Sequence, residues 1–260
     1  MLLAVDIGNT NVTLGLFRGV KLAGSWRFSS DSRRTADEYA HQIAGVLGKN
    51  LRRVRIMAIA SVVPPLEAAF RQSSRHLFGK HAVVIDHDSP LGFRIGYNPP
   101  SDVGADRLVN AAAALERYGA PVIVADFGTA VTLDVVDRHR VYLGGAIAPG
   151  LELAGESLFR RTAKLPQIAP SIPGAVIGRS TRESINSGLV LGMAAMVDGL
   201  LERFFTELKA RVRVVATGGA AGVVVPHCRL VRTVDPDLTL VGIRIVASRQ
   251  AGCPPRARRR

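Results

Sequence analysis

The sequence predicts an α/β fold built from two similar halves, because one phrase occurs in it twice. Residues 5–14 read VDIGNTNVTL, and residues 125–133 read ADFGTAVTL. With one gap beside Asn9, both copies share the pattern Asp-x-Gly-Thr-x-Val-Thr-Leu. Each copy follows one apolar run and leads into another, which is typical of a strand, a tight glycine turn and a second strand. We therefore expect a duplicated domain, with a mixed sheet flanked by helices in each half and a nucleotide in the cleft between the halves.

The elements that follow each copy are also repeated. In the first half, apolar residues 14–17, a turn at Arg18-Gly19 and residues 21–28 predict two strands. In the second half, residues 131–136, a turn at 137–140 and residues 141–147 predict the same pair. Each half is therefore expected to open with a three-stranded antiparallel meander.

Helices and strands then alternate in the first half. Residues 35–38 have the pattern of a capping box and predict a helix to about Lys49. An apolar strand at 56–63, ended by two prolines, precedes a helix to about Phe78 and a strand at 82–86. Residues 104–118 carry apolar side chains at helical spacing and predict a third helix.

The second half alternates in the same way. A second capping-box pattern at 180–183 predicts a long helix to Leu208, and residues 143–150 predict a strand end that runs into a helix started by Pro149. Residues 212–216 predict a strand, and residues 238–247, whose period is ambiguous, favour a helix. The expected subdomains are residues 1–118 and 119–250, followed by a basic tail, residues 251–260, that we expect to be disordered.

Composition favours a cytoplasmic protein. The chain has 260 residues, of which 47% are hydrophobic, enough for a buried core. No apolar stretch is expected to have the length of a membrane helix, so no membrane partner is expected. The chain reaches Asp6 without the basic segment of a signal peptide. Cys228 and Cys253 form neither a disulfide framework nor a metal-ligand pattern.

The charge of the chain raises the question of nucleic-acid binding. A formal net charge of +13 is typical of proteins that bind polyanions. The arginines are nevertheless scattered along the chain, and aromatic residues, only 5% of the total, do not interleave with them. We favour a generally arginine-rich composition with a basic tail, so nucleic acid is not an expected partner.

The first copy of the repeated phrase has the chemistry of a phosphate site. It brings a carboxylate, a hydroxyl and bare backbone N–H groups to one turn, and amides and hydroxyls donate to phosphate oxygens. Asp6 would orient Mg²⁺, which requires few protein carboxylates because it keeps several waters. An asparagine-rich hairpin turn is the structural alternative, and the second copy of the phrase makes that alternative less favoured.

A second candidate site lies at the start of the helix predicted at 104–118. Asp106 could act as a general base there, and Arg107 could hold an anionic substrate group, because arginine donates two parallel hydrogen bonds to a carboxylate. Aspartate also simply favours helix N-termini. Taken alone, that structural interpretation is the favoured one.

Asp126 ends a strand that the sequence predicts to be buried. An unpaired carboxylate is costly there, so Asp126 requires a cation or several donors. The six histidines have no metal-like spacing. The absence of a Gly-x-x-x-x-Gly-Lys-Ser/Thr motif excludes a P-loop kinase.

From residue 2 to about residue 248, the chain resembles the type III pantothenate kinases, in the superfamily of acetate kinases, sugar kinases, heat-shock-protein ATPases and actin. The motifs that carry the resemblance are, in order, Asp6-x-Gly-Asn-Thr with Gly15-Leu16-Phe17; Tyr97-Asn98-Pro99; Gly104-Ala105-Asp106-Arg107; Asp126-x-Gly-Thr-Ala with Thr132 and Asp134; Gly144-Gly145 to Pro149-Gly150; Thr162-Ala163-x-Leu165-Pro166; Thr181 with Ser187-Gly188; and Thr217-Gly218-Gly219. Each motif alone is weak, but the ordered set is specific. Val241 departs from the pattern, which has Glu at that position, and the basic residues from Arg256 onward lie outside it.

The resemblance implies duplicated ribonuclease H-like domains of the actin-like ATPase type. It implies that ATP phosphorylates the 4′-hydroxyl of pantothenate, the first step of coenzyme A biosynthesis. It further implies a homodimer with shared active sites, in which Thr181 reaches pantothenate from the second subunit.

The resemblance also implies a role for each site residue. Asp106 is the implied catalytic base, Asp126 the implied ligand of K⁺ or NH₄⁺, and Asp6 the residue that holds Mg²⁺, directly or through water. The implied ATP contacts are Asp6, Ile7, Gly8, Asn9, Thr10, Asn11, Val12, Thr13 and Thr129. The implied pantothenate contacts are Tyr97, Gly104, Ala105, Asp106, Arg107 and Thr181.

Two alternatives stay open at the level of sequence. One is a kinase of the same superfamily that acts on a different small hydroxyl substrate. The other is a non-catalytic accessory regulator, which predicts the loss of Asp6, Asp106 or Asp126; all three are present.

Overall fold

The computed structural model describes residues 1–252, which form two compact units. The first unit comprises Met1–Glu116 together with the segment that begins at Asp237, and the second comprises Arg117–Pro236. The sequence-based division instead placed the last helix in the second half. Ala251 and Gly252 form a turn; the rest of the predicted basic tail lies outside the described residues.

The first unit contains a five-stranded mixed sheet. Its strands are β1 (Leu2–Ile7), β2 (Asn11–Arg18), β3 (Lys21–Ser29), β4 (Ile56–Ser61) and β5 (Val83–Ile85), in the order β3-β2-β1-β4-β5. The predicted meander is confirmed, because β1, β2 and β3 pair antiparallel, while β4 and β5 continue the sheet in parallel with β1. A two-residue strand, β6 (Arg94–Ile95), follows later in the chain.

Helices of the first unit cover both faces of this sheet. They are α1 (Ala36–Leu47), α2 (Pro64–Phe78), α3 (Ala105–Tyr118) and α7 (Leu238–Gln250). Alternate residues of β1 pack with α1 and α2, where the rings of Tyr39 and Phe70 lie 4.6 Å apart. Helix α7 packs on β1, β2, β4 and β5. It also lies so close to α3 that a side chain at Gly242 would overlap the backbone carbonyl of Val109.

The second unit repeats the topology of the first. Its strands are β7 (Val122–Phe127), β8 (Ala130–Val136), β9 (Val141–Pro149), β10 (Arg213–Thr217) and β11 (Thr233–Val234). They are ordered β9-β8-β7-β10-β11, with an antiparallel meander followed by two parallel pairings. The predicted duplication is therefore present in the backbone. The helices are α4 (Leu151–Arg161), α5 (Thr181–Leu208) and the short α6 (Ala221–Val224).

Two helix starts differ from their predictions. The capping box at Thr35 is confirmed, since Thr35 Oγ1 accepts from Glu38 N at 3.3 Å and Glu38 Oε2 accepts from Thr35 N at 2.7 Å. At the start of α5, Ser180 caps Glu183 N, but the Glu183 carboxylate accepts from Arg179 N instead of Ser180 N. Pro149 does not start a helix: it is the last residue of β9, and α4 begins at Leu151.

Helix α5 corrects the expectation that no apolar stretch has membrane length. An 18-residue window within Thr181–Leu208 has a mean hydropathy of 1.4, so by length and composition this helix could cross a membrane. Half of that window is buried inside the protein. Val190, Val197 and Leu201 are fully buried in the core of the second unit. Core helices meet the same criterion, so the window is weak evidence for a membrane span.

Candidate active site

The predicted phosphate turn connects β1 to β2 and is fixed by backbone hydrogen bonds. Gly8 N donates to Asn11 O at 3.0 Å. Ser30, directly after β3, donates from Oγ to Gly8 O at 2.6 Å and from its backbone N to Thr10 O at 3.0 Å. Asn9 and Thr10 at the tip of the turn are exposed. The turn is therefore rigid yet open to a ligand.

Strand alternation determines which residues of this turn can offer side chains. Asp6 is in register with Thr13 of β2, so both side chains lie on one face of the sheet. Ile7 and Val12 are 1% and 0% exposed within the core on the other face. Of the implied ATP contacts, Ile7 and Val12 can therefore offer only backbone groups.

The second predicted site is assembled around the N-terminus of α3. Arg107 is only 7% exposed, and its guanidinium carbon lies 6.0 Å from the centre of the Tyr97 ring. Asp106 Oδ1 accepts from Arg107 N at 2.8 Å. A methyl group at Gly104 would lie 2.6 Å from that same oxygen. The structure thus brings four sequence-predicted residues together in the first unit: Tyr97, Gly104, Asp106 and Arg107. Ala105, 8% exposed, lies between Gly104 and Asp106 in the chain.

The turn between β7 and β8 has a hydrogen-bond pattern similar to that of the first turn, with one residue fewer. Gly128 N donates to Ala130 O at 3.1 Å, and Gly150 N donates to Thr129 O at 3.0 Å. Thr129 at the tip is exposed. As in the first unit, the carboxylate-bearing residue, Asp126, is half-buried at the end of the strand before the turn.

Two glycines pack near the carboxylate of Asp126. A side chain at Gly218, which has a φ of +92°, would overlap Asp126 Oδ1, and a Cβ at Gly128 would lie 3.5 Å from the same oxygen. These two glycines keep side chains away from one side of the carboxylate. Oxygen atoms of carboxylates and backbone carbonyls are the groups that replace water around K⁺. The carboxylate of Asp126 therefore has the oxygen-donor chemistry that such an ion requires.

Sequence reasoning missed a buried polar cluster on β8 and β9. The side chain of Asp134 is fully buried; its Oδ1 accepts from Tyr142 OH at 2.5 Å and its Oδ2 from Thr132 Oγ1 at 2.9 Å. Thr132 and Asp134 carry the family resemblance, but the sequence assigned them no role. The signal available in the sequence was a lone charged residue within the apolar run of β8.

Thr181 is the first residue of α5 in the second unit. It is exposed, beside a groove of about 600 Å³ that is formed by residues 173–179 with Glu183 and Asn186. Val176 and Ile177 in this groove are 76% and 82% exposed. Val241, the departure from the family pattern, is buried in α7.

Comparison with solved structures supports the predicted fold. The crystal structure of a conserved Campylobacter jejuni protein, assigned provisionally to the Baf family of transcriptional activators, matches with a TM-score of 0.62 and 17% identity, covering 96% of this chain and 99% of that one. A ROK hexokinase from Thermus thermophilus matches with a TM-score of 0.52 and 13% identity, covering 96% and 99%. These likenesses concern the fold alone. They confirm the mixed α/β architecture of duplicated ribonuclease H-like domains that sugar kinases share.

Comparison of sequences places the chain in a family. The model of the type III pantothenate kinase family matches residues 2–203. A type III pantothenate kinase of Geobacter sulfurreducens is 42% identical over 252 residues, which cover 96% of this chain and 99% of the relative. Since the match spans both repeated turns and the N-terminus of α3, the chain belongs to the type III pantothenate kinase family.

Proposed function

We propose that this protein transfers the γ-phosphoryl group of ATP to the 4′-hydroxyl of pantothenate, producing 4′-phosphopantothenate in the first step of coenzyme A biosynthesis. The observation that carries the proposal is the match to this kinase family over nearly the whole chain, a match that includes the two turns and the start of α3. A kinase of another small hydroxyl substrate and a non-catalytic regulator are not favoured by that match.

Asp106 is the proposed base for the 4′-hydroxyl. Its Oδ1 accepts from Arg107 N, which fixes the orientation of the carboxylate at the first turn of α3. Phosphoryl transfer depends mainly on positioning and charge stabilisation, so a well-oriented carboxylate that accepts the hydroxyl proton is sufficient. The close approach of Gly104 supports the same role, because only glycine leaves this carboxylate in place.

Arg107 is the proposed partner of the pantothenate carboxylate. The planar fork of its guanidinium matches a carboxylate with two parallel hydrogen bonds. Tyr97 lies over the guanidinium and supports its orientation through a cation–π contact. Gly104 and Ala105 would contribute backbone contacts to the same substrate.

The two glycine turns are the proposed sites of the nucleotide and its cations. The rigid Gly8–Asn11 turn and Thr129 would contact the phosphates through backbone N–H groups and hydroxyls. Asp6 would hold Mg²⁺, directly or through water, and Asp126 would hold K⁺ or NH₄⁺. These cations, when bound, would neutralise negative charge on the phosphates.

A homodimer with shared active sites is part of the proposal. Apolar side chains are exposed on α4 and on the segment before α5 of the second unit. They are Leu153, Leu158, Phe159, Ile172, Val176 and Ile177. Exposed apolar side chains in this number favour a surface that a partner covers. Thr181 lies beside this surface and would reach pantothenate in the partner's site. The cytoplasm, where ATP is available, is the proposed location.

The experiment that tests the proposal is ATP-dependent phosphorylation of pantothenate by the purified protein. ADP release and the mass of the phosphorylated product would be followed with and without K⁺. Asp106→Asn should abolish turnover, whereas Asp102→Asn, an exposed acidic neighbour, should leave it close to wild type. Product formation by Asp106→Asn at the wild-type rate would refute the role of the base. Absence of turnover by the folded wild type in any salt would refute the proposed reaction.

A further inference from the structure

The proposed reaction does not use the polar cluster on β8 and β9. Asp134 is fully buried, although a carboxylate loses several kcal/mol of hydration when it leaves water. Each of its oxygens accepts one hydroxyl, from Tyr142 and from Thr132. Tyr142 is fully buried as well, whereas Thr132 is half-buried. The cluster therefore joins a fully buried carboxylate to a hydroxyl that lies nearer the surface of the sheet.

Strand register places that hydroxyl beside the candidate cation site. Thr132 of β8 is the direct cross-strand partner of Asp126 of β7. Directly opposite residues of an antiparallel pair have their Cβ atoms about 4.5–5.5 Å apart on the same face of the sheet. Thr132 and Asp134 are two residues apart on one strand and share that face too. The face opposite carries the apolar core of the unit, with Ala125 and Leu133.

The direction of the Thr132 hydrogen bond decides what this hydroxyl can bind. A hydroxyl has one proton and two lone pairs. The proton of Thr132 Oγ1 is donated to Asp134 Oδ2 at 2.9 Å. The lone pairs remain available, so Thr132 can act as an oxygen ligand of a cation. A contact with a phosphate oxygen would instead require the proton that Asp134 already accepts.

We propose that Thr132 Oγ1 is a second side-chain ligand of the monovalent cation held by Asp126, an inference that rests on the cation site of the proposed function. Asp134 and Tyr142 are positioning residues that fix the direction of the lone pairs of Thr132 Oγ1. Asp134 sets the rotamer of Thr132 by accepting its proton. Tyr142 in turn fixes the carboxylate of Asp134 through the opposite oxygen.

The test is the stabilisation of the purified protein by K⁺, without any nucleotide or turnover. The melting temperature would be measured over a series of KCl concentrations, with choline chloride keeping the ionic strength constant. A ligand that binds the folded state raises its stability as the ligand concentration exceeds Kd, so the series gives a half-saturating K⁺ concentration. Thr132→Val, which keeps the shape but removes the oxygen, should raise that concentration about tenfold or more, as expected for a lost ligand of roughly 1.4 kcal/mol. Thr132→Ser should remain close to wild type.

Two tyrosine variants separate positioning from general stability. Tyr142→Phe should raise the half-saturating K⁺ concentration in the same direction as Thr132→Val, and by less. Tyr118→Phe is the matched control, because Tyr118 OH also donates to a buried carboxylate of the same unit, Asp235 Oδ2, at 2.9 Å. It should lower the melting temperature without changing the K⁺ dependence. If Thr132→Val does not fold, Thr132→Ala, which also removes the oxygen, takes its place.

Three outcomes would overturn the inference. An unchanged K⁺ dependence in Thr132→Val would exclude Thr132 as a ligand, and an unchanged dependence in Tyr142→Phe would exclude the positioning role. A wild type that K⁺ does not stabilise would exclude the cation site itself. Phosphorylation of pantothenate by that same wild type would show that the proposed reaction survives without it.

Discussion

Gly104 packs so closely against the carboxylate of Asp106 that a methyl group added at Gly104 would be 2.6 Å from Asp106 Oδ1. The same methyl group would be 3.3 Å from Val62 Cγ1 on its other side. The methyl group cannot move toward Val62, and the carboxylate of Asp106, at the end of a flexible side chain, moves more easily than the backbone of Gly104. A side chain at position 104 therefore displaces the carboxylate.

The first prediction concerns this contact. We expect Gly104→Ala to lower kcat for pantothenate phosphorylation by about 10- to 100-fold, because small displacements of a catalytic group cost that much. The melting temperature should change by no more than about 4 °C, which corresponds to roughly 1 kcal/mol. Steady-state kinetics and thermal unfolding measure the two quantities. Gly45→Ala in α1, where a Cβ meets no atom within 4 Å, is the control. Equal kcat values for Gly104→Ala and the control would contradict the prediction.

The second prediction concerns Arg107. Replacing it with methionine removes the guanidinium but keeps a long apolar side chain, and we expect KM for pantothenate to rise about 100-fold because charge-assisted hydrogen bonds are lost. Pantothenyl alcohol, which lacks the carboxylate, tests whether the lost hydrogen bonds were those to the substrate carboxylate. The wild type should strongly prefer pantothenate over the alcohol, and Arg107→Met should not.

The control for Arg107 is another arginine on the same unit. Arg71 is half-exposed on α2, where it pairs with Glu67 at 3.5 Å. Arg71→Met should leave both KM values unchanged. If Arg107→Met still discriminated between the acid and the alcohol as the wild type does, Arg107 would not bind the substrate carboxylate.

The third prediction concerns the sharing of sites between subunits. Asp106→Asn and Thr181→Arg should each be inactive alone. If Thr181 serves the partner's site, a mixed dimer has one intact site, so an equimolar mixture should recover about a quarter of wild-type activity after subunit exchange. Activity of the mixture is measured against each variant alone, with the dimer verified by light scattering. No recovery in a verified mixed dimer would mean that Thr181 serves its own subunit.

The fourth prediction concerns pH and the contacts of Asp235. Asp235 is 5% exposed and binds the Arg117 guanidinium and the Tyr118 hydroxyl. Burial, followed by the hydrogen bond to Asp235, raises the pKa of Tyr118 above its usual value of 10. The pKa of Tyr118 is higher in the folded state than in the unfolded state. The stability that Tyr118 contributes to the folded protein is therefore complete below about pH 10 and is lost as the pH rises through the folded-state pKa.

Unfolding by urea at several alkaline pH values checks this expectation. Tyr118→Phe should cost about 1 kcal/mol at neutral pH, the usual value of one hydrogen bond. Its free energy of unfolding should then fall less steeply than that of the wild type above about pH 10. Parallel curves for the two proteins would show that Tyr118 does not titrate differently on folding.

Local sequence determined a large part of this protein's secondary structure and its family. The two copies of Asp-x-Gly-Thr predicted both meanders, since alternating apolar residues and glycine turns act over a few neighbours. The capping box at Thr35 and the helix at the motif Gly104-Ala105-Asp106-Arg107 were predicted for the same reason. The ordered motifs also predicted the family, which the sequence comparisons confirm.

The tertiary structure alone decided the contacts between residues far apart in sequence. It placed α7 on the sheet of the first unit, because packing between Gly242 and Val109 depends on shape rather than on local preference. It kept the apolar helix α5 within the core of the second unit. It also brought Gly218, directly after β10, to Asp126 of β7. The sequence thus determined which groups the chain carries and where its turns lie, whereas burial and strand register determined which of these groups meet, because both depend on the whole chain packing at once.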